Sequence, residues 1–222
     1  MTGMIRKATL LVALGLLAAT TAMAGIPSPG NCVFLPFIDV MGTDGTDADP
    51  FGTYTVTVKD IGDFAIEGSV VTLNFAAAFD IRICTDFVPV GQTNTCNIAQ
   101  AITDASGVAT FIVAGAANNT GGADGVGLDG VEVRADGYLL GTITAAAYDQ
   151  NGRTGIGFAG VSGSDESALR TDVGLFGGVG NELYKGRGDL NHDGEISGAD
   201  VSKHQTLSGY GTSVAGCEYC PD

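Results

Sequence analysis

Acidic and amide side chains alternate through DLNHDGEISGAD, residues 189–200. Asp189, Asn191 and Asp193 stand at the first, third and fifth positions of this segment, Gly194 at the sixth and Asp200 at the twelfth. A hard cation such as calcium takes roughly six to eight oxygen ligands at short range. Oxygen-bearing side chains at alternate positions of a sharp turn supply them, and glycine at the sixth position permits the turn. The backbone carbonyl of Glu195 falls at the seventh position, and Ser197, directly or through water, at the ninth. The expected metal ligands are therefore Asp189, Asn191, Asp193, Glu195, Ser197 and Asp200, and the expected cofactor is calcium. The closing residue is Asp where the general pattern has Glu. Its side chain is one methylene shorter, so bidentate contact requires the backbone to sit closer to the ion.

The stretch GDLNHDGEISGADVS, residues 188–202, resembles the core of a dockerin repeat, a family that closes its calcium loop with Asp. The resemblance implies a small α-helical module, a helix from about Ala199 to Leu207, and a cohesin-like partner bound in a calcium-dependent way. Dockerins carry two such repeats. VSGSDES at 161–167 parallels ISGADVS at 196–202, at an offset of 35 residues. In this earlier copy Thr154, Ile156 and Phe158 stand where Asp189, Asn191 and Asp193 stand in the later one. Ile156 and Phe158 offer no side-chain oxygen, while Ser162 and Asp165 keep theirs. A degenerate repeat at 154–177 and a calcium-binding repeat at 189–211 are expected, with one ion rather than two. The two residues before the closing Asp, which often carry partner-contacting hydroxyls in the family, are Gly198 and Ala199 in the later copy and Gly163 and Ser164 in the earlier.

What must position this module is read from the rest of the chain. Residues 1–24 read as a secretory signal peptide: Arg6 and Lys7, the apolar run LLVALGLLAA, then Ala22-Met23-Ala24 as a small-x-small cleavage site. That run is too short to span a bilayer comfortably. Cleavage would remove Arg6 and Lys7 and no acidic residue, taking the formal charge from −15 to −17. So acidic a chain is unsuited to the phosphates of nucleic acid or to an anionic membrane surface. Calcium is its natural counterion, and the expected location is secreted, extracellular or at the cell surface.

Export permits disulfides. Cys84 and Cys96 flank one polar, Pro-containing loop, and a bridge there would contribute on the order of 3 kcal/mol. Cys217 and Cys220 form CEYC, either bridged to each other or with one of them paired to Cys32. No βαβ pattern surrounds CEYC to suggest a thioredoxin-like site. A zinc site there would have to recruit Cys32, His192 or His204.

Residues 25–50 read as an irregular lead-in in which CVFLPFIDVMG could add an edge strand; Asp44, Asp47 and Asp49 belong to a solvated acidic turn. From 51 to 150 the pattern is all-β. Tyr54, Val56 and Val58 share one strand face, as do Val71, Leu73 and Phe75, and Ala109, Phe111 and Val113. DIRIC, GVEVRADG and YLLGTITAAAYD add further strands, and Gly, Asn and Asp clusters separate them, as in a sandwich or barrel. VTVKDIGDFAIEGSVVTLNF, AITDASGVATFIV and VEVRADG resemble bacterial immunoglobulin-like repeats of the invasin and intimin type, with the T-D-x-x-G-x-A turn at Thr103, Asp104, Gly107 and Ala109. The expected fold class is mainly β: an immunoglobulin-like β-sandwich at 51–150, then the dockerin-like module at 151–222.

Catalysis has little to work with. The chain has no Trp and two histidines, both in or beside the acidic loop; His192 reads as solvent-facing, and His204 stands where the family usually has an apolar core residue. GIGFAG at 155–160 has no following helix or acidic partner in a βαβ unit, as a dinucleotide fingerprint requires. Aromatic residues, the usual platform of a polysaccharide cleft, make up 7%. The expected function is therefore non-catalytic: calcium-dependent protein–protein assembly outside the cytoplasm. The alternatives are a structural or adhesive surface protein with calcium only for rigidity, and a tethered polysaccharide-binding or polysaccharide-degrading component.

Overall fold

The computed structural model describes residues 25–40, 53–78, 81–85, 88–117, 130–150, 161–173 and 188–207. The expected signal peptide, Asp44, Asp47 and Asp49, Thr154, Ile156 and Phe158, and Cys217 and Cys220 lie outside the described residues.

The described chain is mainly β. Its strands are β1 (Val33–Phe34), β2 (Phe37–Val40), β3 (Thr53–Thr57), β4 (Val70–Asn74), β5 (Ile81–Ile83), β6 (Gln92–Thr95), β7 (Ile98–Ile102), β8 (Val108–Ile112), β9 (Gly115–Ala117), β10 (Val131–Ala135) and β11 (Tyr138–Ala147). Two helices follow among the described residues, α1 (Gly163–Asp172) and α2 (Gly198–Gln205). Three strands pair in the order β1-β3-β8, six in the order β2-β11-β10-β4-β7-β6, and β5 pairs with β9.

The period-2 pattern decides the core. Tyr54, Val56 and Val58, Val71, Leu73 and Phe75, and Ala109, Phe111 and Val113 all turn inward and are buried. They join Val131, Val133 and Ile143 in one continuous apolar cluster fed by all three sheets. The turns follow from local chemistry. Asp136 and Gly137, at φ 49° and 84°, make the two-residue connection between β10 and β11 that a right-handed twist favours. In the T-D-x-x-G-x-A turn, the Thr103 hydroxyl donates to the Ile66 carbonyl at 2.7 Å and accepts the Ser69 N–H at 2.9 Å. The Asp104 carboxylate accepts the Val108 and Ser106 N–H groups.

One element departs from the sequence reading. The polar stretch between Cys84 and Cys96 contains a strand, β6, paired antiparallel to β7. It lies at the end of its sheet, so one edge and one face have no apolar demand and QTNT shows no hydrophobic alternation. Gln92 is the exception: it is buried, and its amide donates to the Ile112 carbonyl at 3.1 Å and accepts the Ile112 N–H at 3.0 Å, taking the place of a strand partner. Cys84 and Cys96 are both disulfide-bonded, and Cys32 is a free thiol.

The lead-in supplies the edge strand that CVFLPFIDVMG could add. Residues 37–40 form β2, which pairs parallel to β11 with Asp39 opposite Ala146. Ile38 and Val40, with Ala145 and Ala147, enter the main core. The alternate positions Ala146 and Tyr148 face the other way, into a second cluster with Val161, Leu169, Leu190, Ile196, Val201 and Leu207. The β2–β11 edge is therefore buried on both faces and is the seat of the two helices.

The inward-facing aromatic gives a stability test. Phe111→Ala should cost about 3–5 kcal/mol in chemical denaturation, because the ring is fully buried and its cavity is bounded by strands from two sheets. Val90→Ala, at a fully exposed position, should stay within about 0.5 kcal/mol.

Candidate metal centre

The acidic segment folds into a tight loop held by its own carboxylates. Asp189 Oδ1 accepts the Asp193 N–H at 3.1 Å, and Oδ2 accepts the Gly194 N–H at 2.8 Å. Asn191 Oδ1 accepts the same Asp193 N–H at 3.0 Å, and Asp193 Oδ1 accepts the Glu195 N–H at 2.9 Å. Gly194 sits at φ 91°, where a side chain would be strained, so the sharp turn expected at the sixth position is present.

Asp200 closes the loop from the first turn of α2. Its Oδ1 accepts the Asn191 N–H at 3.1 Å, and its Oδ2 accepts the Ser197 N–H at 2.7 Å. Ser197 is the N-cap: its hydroxyl accepts the Ala199 N–H at 3.1 Å. The capping box and the loop closure are thus one set of bonds. Asp189 and Asp200 are 3% and 0% exposed, so the first and last carboxylates of the loop are inside the protein. Glu195 is exposed and presents its backbone, not its carboxylate, to the turn.

The donors these residues offer are all oxygen, which suits a hard cation and not a thiolate- or imidazole-seeking metal. Among the described residues, no group of three or more His, Cys, Asp and Glu side chains converges as a metal cluster. Asp189, Asp193 and Asp200, the three carboxylates of the expected set, are therefore not gathered around one point; the other expected donors are Asn191, Ser197 and the Glu195 carbonyl. The Asn191 amide also donates to Asp193 Oδ2 at 2.8 Å, which turns that carboxylate toward its neighbour.

The earlier copy reproduces the helix geometry at the same offset of 35. Ser162 N-caps α1, and its N–H donates to Asp165 Oδ2 at 2.8 Å, as Ser197 does to Asp200. Ser167 donates to the Gly163 carbonyl and Ser202 to the Gly198 carbonyl, both at 2.9 Å. Val161 and Ile196, Asp165 and Asp200, Leu169 and His204, and Asp172 and Leu207 are each buried in pairs. The copies differ in what the closing carboxylate holds. Asp165 Oδ1 accepts the Gln150 N–H at 2.9 Å, tying α1 to the end of the β region, whereas Asp200 Oδ1 ties α2 to its own loop.

Three residues outside the expected ligand set lock the loop to the sheet. Asp39 on β2 is 5% exposed; its Oδ1 accepts from His192 Nε2 at 2.8 Å and its Oδ2 from Lys203 Nζ at 3.1 Å. The His192 ring stacks on Phe37 with centroids 4.0 Å apart. Lys203 also donates to the Leu190 carbonyl. His192, expected at a solvent-facing position, is instead pressed on the sheet with its side chain 9% exposed. The available signal was an acid at an alternate position of the otherwise apolar FIDV. It marks a strand whose second face is also covered.

His204 takes the place that Leu169 holds in the earlier copy, and it is fully buried. Its Nε2 donates to the Tyr148 carbonyl at 3.1 Å, while Nδ1 has no hydrogen-bond partner among the described residues. Burial pushes its pKa down, against smaller upward contributions from the Tyr148 carbonyl, Asp165 and Glu166. An unfolded His titrates near about 6.5. The folded state therefore takes up its proton only at lower pH, and stability present above about 6.5 is lost as pH falls. Melting temperature measured from about pH 7.5 to 5.5 should fall, and His204→Leu should flatten that dependence.

No protein-family model, no curated protein and no solved structure matches this chain. The loop's own oxygen atoms and their spacing are what bear on its chemistry.

Proposed function

We propose that this is a secreted, non-catalytic calcium-binding protein, built from an immunoglobulin-like sandwich and a dockerin-like C-terminal module, that assembles with a protein partner when calcium is bound. Asp189, Asn191, Asp193, Ser197, Asp200 and the Glu195 carbonyl would hold one ion. The observation that carries the reading is a twelve-residue loop with its first and last carboxylates buried, a left-handed glycine at the sixth position and oxygen at each expected ligand position. Bound calcium would neutralise the clustered carboxylates and add to the stability of the closed loop, so folding and binding are linked. Export is supported by the basic, apolar and small-x-small order of residues 1–24.

A partner surface is supported by exposure. Gly198 and Ala199 in α2, and Gly163 and Ser164 in α1, lie at the solvent-facing ends of their helices while the opposite faces are buried. A cohesin-like protein is the partner class that the resemblance implies. The second reading is a structural surface protein in which calcium only rigidifies the module. It is favoured by the Asp39 contacts, which seat the loop on the protein's own sheet.

Calorimetric titration should detect one calcium per chain, with a dissociation constant between about 10⁻⁶ and 10⁻³ M. Asp189→Ala or Asp193→Ala should abolish it, and Asp165→Ala should leave the ion bound. Capture of partners from the native secretome, with and without chelator, separates the two readings. A partner lost in chelator, and weakened by Ala199→Arg with calcium binding intact, supports assembly. Calcium stabilisation of roughly 2.7 kcal/mol at a hundredfold excess over the dissociation constant, with no chelator-sensitive partner, supports the structural reading.

A further inference from the structure

We infer that Asp39, which lies about 150 residues before the loop and lends it no oxygen, is a positioning residue that couples calcium binding to the seating of the helices on the β2–β11 edge; this rests on the calcium reading of residues 189–200. His192 lies between two expected ligands, Asn191 and Asp193, and its backbone is left-handed at φ 58°. That region is strained for a residue with a Cβ and persists only where the surroundings impose it. Here contacts from the β region add to the loop's own bonds to the Asp193 N–H in holding it. Asp39 Oδ1 holds His192 Nε2 at 2.8 Å, and Phe37 stacks on the ring at 4.0 Å. Both belong to β2, a strand fixed in register against β11.

The other oxygen of Asp39 acts on the far side of the loop. It pairs with Lys203 on α2, three residues beyond Asp200, and the same ammonium donates to the carbonyl of Leu190, next to Asp189. One buried carboxylate thereby fixes the chain at 190, 192 and 203, positions that flank the expected ligands Asp189, Asn191, Asp193 and Asp200. Losing it frees His192 to relax to negative φ, which turns the Asn191 and Asp193 side chains away from each other, and it frees α2 to shift Asp200. By linkage the effect runs both ways: an ion that favours the closed loop also favours the seated helix and the β2–β11 pairing.

Calcium titration of the full chain, alone and as Asp39→Ala, His192→Gly and the double variant, tests this. Asp39→Ala should weaken calcium binding on the order of tenfold, the scale of one strained backbone position left unsupported. Glycine adopts the left-handed conformation without a steric penalty. In the His192→Gly background the same Asp39 change should therefore cost clearly less, the remainder being what passes through Lys203, a non-additivity expected only of coupled residues. A general loss of stability would not show that dependence. Hydrogen exchange at 144–147 should slow on adding calcium to the native chain and not to Asp39→Ala. His192→Ala, which leaves the Asp39–Lys203 pair in place, should weaken binding on the same order and serves if Asp39→Ala does not fold. Native affinity in Asp39→Ala or His192→Ala, or an equal Asp39 effect in both backgrounds, overturns the coupling and leaves the calcium site standing. No calcium binding by the native chain overturns the site and the coupling together.

Discussion

The parallel pairing of β2 with β11 is the contact on which the rest of the arrangement depends. A strand has two faces, and both faces of this pair are buried. Ile38, Val40, Ala145 and Ala147 complete the main core, while Ala146 and Tyr148 join the second cluster with residues of the two helices. The edge that would otherwise present unpaired backbone is covered by β2 on one side. Burying both faces leaves no solvated position for a charge. Asp39 is tolerated there because both of its oxygens are bonded to cationic or N–H donors.

Around that cluster, two copies of one helical motif have been put to different uses. Each begins with a serine N-cap whose third residue is a buried Asp. In the later copy the Asp closes a loop rich in oxygen donors; in the earlier it reaches the backbone of Gln150 and anchors α1 to the β region. The same side-chain geometry closes an oxygen-rich loop in one case and ties a helix to the β region in the other. Which it serves depends on what precedes the helix. The helices also bond across their own interface, with Gln205 Nε2 donating to Glu166 Oε1 at 2.8 Å, and Arg170 holding the same oxygen at 2.6 Å.

His204 shows how the copies have diverged inside the core. Leu169 fills its site with apolar volume alone, whereas His204 fills the matching site and bonds the Tyr148 carbonyl. That bond satisfies a backbone acceptor at the end of β11 and fixes the tautomer, at the cost of a ring that resists protonation where it sits. Helix α2 is thus joined to the end of β11 by a polar contact as well as by apolar burial.

Local pattern alone determined the strands with a solvated face and the loop. Alternation placed Tyr54, Val56, Leu73 and Phe111 inside, and oxygen spacing with one glycine placed the turn at Gly194 and both closing carboxylates of the two copies. These features are repeats along the chain, with periods that neighbouring residues reveal. Only the tertiary structure decided that β6 is a strand, that β2 lies beside β11, and that His192 and Lys203 meet Asp39. Those contacts join residues up to 164 positions apart, and no local period encodes such a meeting. An edge strand needs little apolar alternation, and a buried acid is explained only once its distant hydrogen-bond partners are in place.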